Sequence, residues 1–209
     1  MLPYGEIPGA EWELLDTYLG TLAATPVSAL DRPEQYAFWL NLHNALVVRL
    51  IARAYLVLSV RDIDFGNGTP WDRPIVEVEG RPLSLADIRN GILRAYWRDG
   101  RVHYGLCYGA IGSPGLLTQG FSGANVDRLL DEQALDFVNH PRGVWGDGRA
   151  VTLSSLYDWY AEDFGGSRGA IMSHLRLYAL PGLRPVLTDD VALNYAFDWS
   201  LNDLTGSLG

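Results

Sequence analysis

The first quarter of the chain has apolar residues at the three- and four-residue spacing of helices. Residues 10–22 predict an amphipathic helix. Its apolar face consists of Trp12, Leu15, Tyr18 and Leu19. Residues 32–55 are apolar on most sides, and Asp31 precedes them as a helix cap, with Pro33 in the first turn and Glu34 three residues after the cap. A helix that is apolar all round is buried, so we expect this second helix to lie at the centre of the fold.

Two segments alternate apolar and polar residues around a glycine turn and then continue into a helix. In IVEVEGRPLSL the turn lies at Glu79-Gly80, Ser84 occupies the capping position, and Asp87 follows three residues later. In VWGDGRAVTLSS the turn is Gly-Asp-Gly, and Ser155 occupies the capping position, again with an acid, Asp158, three residues on. Each segment therefore predicts an antiparallel hairpin followed by a capped helix.

The helix of the first unit extends to about residue 96, and the remaining segments predict two further helices and two strands. These helices cover about residues 122–138 and 167–178. RVHYGLC at residues 101–107 has the pattern of a strand, and another strand lies within ALNYAFDWSLND. No linker or low-complexity segment divides the chain. We therefore predict one α+β domain over residues 1–209, rich in helix, with short antiparallel strands and two hairpin-to-helix units around a central helix.

Composition narrows the class of protein. Of the 209 residues, 48% are hydrophobic and 20% are charged, which is typical of a folded globular domain and not of a disordered chain. The net charge of −9, without any basic run, disfavours nucleic acid and anionic membrane surfaces as partners. All basic residues are arginine, so chemistry that needs a Schiff-base lysine or a Walker-type lysine is excluded.

Metal, cofactor and membrane association are not indicated either. A single cysteine and four scattered histidines form no ligand pattern, so we expect no metal and no cofactor. No apolar run reaches the length of a membrane span and no signal peptide is recognisable, so we expect a soluble protein without membrane insertion. Its expected location is cytoplasmic by default, or exported if a leader was removed. A small molecule or a peptide remains as the expected partner, and the oligomeric state is not indicated.

The stretch RVHYGLCYGAIGSPGL contains the only cysteine, Cys107, four residues after His103. A thiolate with a histidine beside it would be a catalytic nucleophile. On an extended strand, residues four apart are separated by about 13 Å at about 3.3 Å per residue, whereas a hydrogen bond needs about 3 Å. His103 could therefore be the base for Cys107 only if the strand ends before Cys107. Otherwise another histidine would have to be the base. The alternative is a buried, inert cysteine.

Two asparagines interrupt the otherwise apolar central helix. Asn41 and Asn44 are three residues apart and share one face, whereas His43 points about 100° away from Asn44. Buried amides must be hydrogen-bonded, so one hypothesis is that they hold a loop or a strand edge in place. The other hypothesis is that they line a polar pocket and orient a base or stabilise an oxyanion.

The segment YDWYAEDFGG offers candidate carboxylates. On a continuous helix, Asp158 and Glu162 lie about 40° apart, and Asp163 lies about 140° from Asp158. A carboxylate pair can carry out acid–base catalysis. Asp158 is equally explained as a first-turn acid that interacts favourably with the helix dipole.

Several segments, in one order over about residues 4–203, resemble the bacterial and plant family called Domain of Unknown Function 547. They are FWLNLHNAL, PWDRPIVEVEGRPLSLADIRNGILR, RVHYGLCYGAIGSPGL, DRLLDEQALDFVNHPRGV, SSLYDWYAEDF and FDWSLND. The resemblance matches His103, Asn41, Asn44 and residues 158–164 to family positions. This chain also departs from the family pattern. Many members have cysteines at the positions of Tyr108 and Ser113, and a Glu-His pair at those of Arg89 and Asn90. The position of His43 is usually also occupied by another residue.

These observations leave two functions open. The first is a hydrolase or acyl transferase in which Cys107 or a water is the nucleophile, His103 is the base, and Asp158 or Asp163 is the partner of the histidine. The second is a non-catalytic domain that binds a small ligand or a peptide, or acts as a scaffold, with these residues forming a buried structural network. The predicted substrate-binding residues are Asn41, Asn44, His43, Tyr108, Ser113 and Trp39.

Overall fold

A computed structural model describes residues 2–63, 69–146 and 149–204. The helices are α1 (Gly9–Ala23), α2 (Arg32–Arg53), α4 (Val102–Gly105), α5 (Val126–Asn139), α6 (Leu156–Trp159) and α7 (Arg168–Tyr178). Helix α3 consists of a π-helical stretch, Asp87–Arg94, and an α-helical turn, Ala95–Trp97. Short 3₁₀ turns lie at Val27–Ala29, Val60–Asp62, Ala161–Phe164 and Arg184–Val186. The strands are β1 (Val76–Val78), β2 (Arg81–Leu83), β3 (Val144–Gly146), β4 (Ala150–Ser154) and β5 (Ala192–Ala196). The predicted α+β class is confirmed.

Helix α2 is the central element of the core, as its apolar pattern predicts. Leu40, Val47 and Ile51 are fully buried on one side of it, and Leu42 is fully buried on the opposite side. Asp31 caps the helix by accepting a hydrogen bond from the backbone N–H of Glu34 at 2.9 Å. Such a cap stabilises a helix by about 1 kcal/mol, which helps to place the start of α2. Within the described ranges, no helix combines the length and the apolar character needed to cross a membrane.

The first hairpin-to-helix unit is present as predicted. Strands β1 and β2 pair antiparallel around Glu79 and Gly80, whose φ angles of 49° and 75° are both positive, as a tight hairpin turn requires. Ser84 and Asp87 then form a reciprocal cap. Ser84 Oγ accepts from the Asp87 N–H at 3.0 Å, and Asp87 Oδ2 accepts from the Ser84 N–H at 2.9 Å.

The second unit is present only in part. Strands β3 and β4 pair antiparallel, while residues 147 and 148 of the predicted Gly-Asp-Gly turn lie outside the described residues, as do residues 64–68 of an earlier loop. Strand β5 pairs parallel with β4, in addition to the predicted antiparallel pairs. Ser155 makes no side-chain cap because it already has helical backbone angles. The predicted continuous helix is also wrong, since α6 ends at Trp159 and the chain resumes as a 3₁₀ turn.

The segment RVHYGLC is not a strand. Residues Val102–Gly105 form the short helix α4, and Leu106 is the first extended residue after it. Asp99 starts the turn by accepting the Arg101 N–H at 2.9 Å. The side chain of Asn44 then satisfies the backbone on both sides of Leu106, so no neighbouring strand is needed. The predicted start of the next helix at residue 122 is also four residues too early, because α5 begins at Val126.

Candidate functional site

His103 lies inside the protein and is bonded to a carboxylate from a distant segment. It belongs to α4 and is fully buried. Its Nε2 is 2.7 Å from Oδ2 of Asp163, which lies in the 3₁₀ turn that follows α6. Arg94, from the π-helical stretch of α3, donates to both oxygens of the same carboxylate, through Nε to Oδ2 and through Nη2 to Oδ1. We call these three residues the Arg–Asp–His network.

Charges within the Arg–Asp–His network balance each other. Burial alone would raise the pKa of Asp163, but hydrogen bonds from His103 and Arg94 outweigh it and lower the pKa to about 2. Burial lowers the pKa of His103, against the opposing effect of Asp163. At neutral pH His103 is therefore uncharged and donates its Nε2–H to the carboxylate. Its Nδ1 is then an acceptor, and it has no hydrogen-bond partner among the described residues.

Tyr160 covers the network. Its ring stacks on the imidazole of His103, with centroids 4.1 Å apart and an interplanar angle of 18°. The guanidinium of Arg94 lies 4.7 Å from the centre of the same ring. Tyr160 therefore separates the buried histidine from the cavity on the other side, and it stands where α6 gives way to the 3₁₀ turn.

On that other side is a cavity of about 260 Å³. We call it the aromatic–arginine cleft. It is lined by Arg61, Trp71, Arg89, Tyr108, Trp159, Tyr160 and Trp199. Three tryptophans and two tyrosines supply flat apolar surface, and two arginines supply positive charge. Concave sites of this kind, mostly apolar with a few convergent polar groups, are typical of small-molecule binding.

Polar groups of the cleft have few partners among the described residues. The hydroxyl of Tyr108 is buried and has no partner in full hydrogen-bond geometry there, although Arg89 and Tyr160 lie near it. Burial raises the pKa of this tyrosine. The guanidinium of Arg89 lies 5.7 Å from the ring of Tyr108 and 5.5 Å from that of Tyr160. Arg61 lies 4.3 Å above the ring of Trp199. In the part of the chain that the structure describes, neither arginine forms an ion pair with a carboxylate.

The π-helical stretch explains how two arginines reach the same ring. Arg89 and Arg94 are five residues apart, which on an α-helix would place them about 140° from each other. In a π-helix the hydrogen bonds join residues five apart, so residues at this spacing lie about one turn apart on the same side. Both guanidinium groups accordingly lie over Tyr160. If the segment is interpreted as an α-helix, Arg94 points away from Arg89 and is not identified as part of the site.

Cys107 is not in contact with the network. It is buried, with 4% of its surface exposed, and burial raises the pKa of its thiol. Its sulfur accepts a hydrogen bond from the Gly109 N–H at 3.3 Å. Its backbone N–H donates to Asn44 Oδ1 at 2.8 Å, and Asn44 Nδ2 donates to the Gly105 carbonyl at 2.8 Å. Asn44 therefore holds the backbone between His103 and Cys107, while burial disfavours the thiolate form of Cys107.

The other predicted site residues lie in different places. Asn41 binds both backbone groups of Phe121, at 2.8 and 2.9 Å. Ser113 is buried, and its hydroxyl accepts the Tyr108 N–H and donates to the Pro114 carbonyl, each at 2.9 Å. Trp39 is buried in the core against Phe38. Of these three, only Ser113 acts near the cleft, by fixing the backbone of Tyr108.

Of the two remaining predicted residues, His43 is buried and Asp158 is exposed. His43 is fully buried with both ring nitrogens unpartnered among the described residues, and burial, assisted by Arg89, lowers its pKa to about 3. Asp158 is exposed on α6 and makes no contact with His103. The carboxylate that bonds the histidine is Asp163, the second of the two candidates. The interruption of the helix at Tyr160 removes the angular relationship that a continuous helix would impose.

Three cavities in the described part of the chain are larger than the cleft. The smallest of them, of about 390 Å³, is lined in part by Arg142, which is paired with Asp136. One of about 660 Å³ lies between α1, α2 and β1. Of its four charged residues, Asp16 and Arg49 are paired with each other, and the other two are Arg53 and Glu77. The third, of about 460 Å³, is lined in part by Asn41 and Asn44, whose amides are bonded to backbone. No group of three or more histidine, cysteine or acidic residues in the described ranges is arranged to hold a metal ion.

Comparisons with known proteins identify a family but no activity. The family model described as "Protein of unknown function, DUF547" matches residues 27–138, more than half of the 209-residue chain. A search of curated proteins and a search of solved structures each find no match to this chain. The matched region includes Asn41, Asn44, Arg94, His103 and Tyr108, but it ends before Tyr160 and Asp163.

Proposed function

The chain belongs to the family of unknown function DUF547, and because that description names no reaction, we propose from the site itself that the protein binds a small molecule in the aromatic–arginine cleft. One observation carries the proposal. The hydroxyl of Tyr108 is buried at the edge of a 260 Å³ cavity and has no partner in full hydrogen-bond geometry among the described residues. A buried hydroxyl without a hydrogen bond costs about 1–3 kcal/mol, and a ligand that bonds to it removes this cost.

The geometry favours binding over thiol catalysis. Burial raises the pKa of Cys107, and the thiol is held by the Gly109 N–H away from His103. Catalysis by this cysteine would need a thiolate, which requires a nearby positive charge or a histidine. If the protein binds a ligand, the role of the Arg–Asp–His network is structural. It connects α3, α4 and the 3₁₀ turn, and it holds Tyr160 in place as one wall of the cleft.

The test uses aromatic fragments and two tryptophan variants. Trp159 lines the cleft and is 42% exposed, so Trp159→Ala should leave the fold intact. Trp145 is 52% exposed on β3 and does not line the cleft, so Trp145→Ala is the matched control. Saturation-transfer NMR with indole, 3-phenylpropionate and 3-phenylpropionamide should show binding that Trp159→Ala weakens and Trp145→Ala does not. Equal binding by both variants and the wild type would refute the proposal.

A second candidate is a water-using hydrolase or acyl transferase, and the Arg–Asp–His network favours it. A histidine oriented by a carboxylate at 2.7 Å, with its other nitrogen free to accept a proton, is the arrangement of a general base. Substrate would reach Nδ1 only after Tyr160 moved aside. The test is turnover of 4-nitrophenyl acetate and of small amides by the wild type and by His103→Gln. Equal rates in the two proteins would exclude this candidate.

A further inference from the structure

Both arginines of the aromatic–arginine cleft lack a carboxylate partner among the described residues. Arg49, Arg94, Arg101, Arg128, Arg142 and Arg176 each pair with a carboxylate. Arg61 and Arg89 have no such partner among the described residues, although the protein carries a net charge of −9 and acids are abundant. Two unpaired positive charges at one cavity of an acidic protein therefore need an explanation.

Three acids that lie close in sequence to residues of the cleft accept hydrogen bonds from other groups. Asp62, next to Arg61, accepts the Ser59 N–H at 3.1 Å as part of a turn. Asp72, next to Trp71, accepts the hydroxyl of Thr69 at 2.6 Å. Asp163 is bonded by Arg94 and His103. Because these acids are held in other interactions, the positive charge of the cleft is available to an external anion.

The donors at the inner end of the cleft suit an oxyanion. Arg89 donates from Nε to Asn90 Oδ1 at 3.2 Å, and its guanidinium lies near the hydroxyl of Tyr108. That buried hydroxyl is the adjacent donor, without a partner in full hydrogen-bond geometry in the described ranges. A carboxylate can accept two N–H bonds from a guanidinium fork and one O–H bond, and such charge-assisted bonds are about twice as strong as neutral ones.

We infer that the aromatic–arginine cleft binds a small organic carboxylate with a flat apolar body. Its carboxylate lies at Arg89 and Tyr108, its apolar part packs between Trp71, Trp159 and Trp199, and Arg61 adds positive charge at the rim. This inference rests on the proposed binding function and names its ligand class. It requires no metal and no covalent step. The cavity of 260 Å³ limits the ligand to a compact molecule.

The test compares acids with the amides of the same shape. Phenylacetate, 3-phenylpropionate, indole-3-acetate and 1-naphthylacetate are each titrated by calorimetry beside the corresponding amide. For the pair that binds best, we expect the wild type to prefer the acid by at least about tenfold, which corresponds to about 1.4 kcal/mol. Arg89→Gln should abolish this preference. Arg61→Gln, at an exposed position, should reduce it about threefold.

The control is Arg53→Gln, which changes the net charge equally at an exposed position outside the cleft. It should retain the full preference for the acid. Wild-type protein that binds acids and amides equally would overturn the inference while leaving the proposed binding function intact. Binding of neither series would overturn both. A loss of acid preference in Arg53→Gln as large as in Arg89→Gln would also overturn the inference, because it would reflect overall charge alone.

Discussion

The imidazole Nε2 of His103 lies 2.7 Å from Oδ2 of Asp163, a residue 60 positions later in the chain. This bond connects α4 to the 3₁₀ turn beneath Tyr160, and Arg94 completes it from α3. The three elements are therefore held together by one carboxylate, and the wall of the aromatic–arginine cleft depends on that carboxylate in turn.

Asp163→Asn should destabilise the protein by about 2 kcal/mol, because it removes the charge that Arg94 and His103 share inside the structure. Asp158→Asn is the matched control on the preceding helix. Since Asp158 is exposed, its substitution should change stability by less than about 0.5 kcal/mol. Urea denaturation followed by circular dichroism measures both. Equal effects of the two substitutions would show that the network has no structural role.

The effect of Asp163→Asn should also depend on pH. Folding lowers the pKa of Asp163 from 3.8 to about 2, so the ionised carboxylate stabilises the folded state fully above pH 4. Its contribution is lost as the pH falls through about 2. The stability difference between wild type and variant should therefore shrink as the pH falls from 4 to 2. A difference that grows between pH 4 and 2 would contradict the assignment.

His43→Leu should make the protein more resistant to acid. Burial lowers the pKa of His43 from 6.5 to about 3, so below pH 6.5 the unfolded chain binds a proton that the folded protein does not. The wild type therefore loses stability progressively as the pH falls from 6.5 to 3, whereas leucine removes this effect. The free energy of unfolding is measured for both proteins at pH 7.5 and pH 5. The variant should gain stability relative to the wild type when the pH is lowered to 5. An equal stability difference at the two pH values would contradict this account.

Cys107 should react slowly with iodoacetamide in the folded protein. Burial raises the pKa of its thiol and limits access, so we expect alkylation about 100-fold slower than in urea-unfolded protein at every pH. Mass spectrometry of the alkylated fraction over time measures the rate. Rapid alkylation of folded protein at mildly acidic pH would instead reveal a thiolate, and it would revive the cysteine-enzyme hypothesis.

Asn44→Ala should destabilise the fold by about 3 kcal/mol, since it leaves the Gly105 carbonyl and the Cys107 N–H buried without partners. Asn41→Ala removes an equivalent pair of bonds to Phe121 from a half-buried position, where water can replace them, so about 1 kcal/mol is expected. Thermal unfolding of the two variants compares them directly. A negligible effect of Asn44→Ala would favour a role in binding over one in structure.

Local signals predicted the elements that depend on neighbours in the chain. Asp31 begins α2, Glu79 and Gly80 form the first hairpin turn, and Ser84 with Asp87 caps α3, because each feature involves residues within four positions of one another. The apolar surface of α2 likewise predicted its central place, since a helix that is apolar on most sides must be buried.

Long-range contacts decided the rest. RVHYGLC has the composition of a strand, yet it becomes a helix and a turn because Asn44, more than 60 residues earlier, bonds to its backbone. The choice between Asp158 and Asp163 depended on where the chain breaks at Tyr160. The joint placement of Arg89 and Arg94 depended on π-helical winding. The sequence by itself determined the fold class, the central helix and the candidate histidine, since these follow from periodicity and residue type. Only the tertiary structure decided the partners of that histidine and the position of the cleft, because hydrogen bonds between distant segments leave no regular spacing in the sequence.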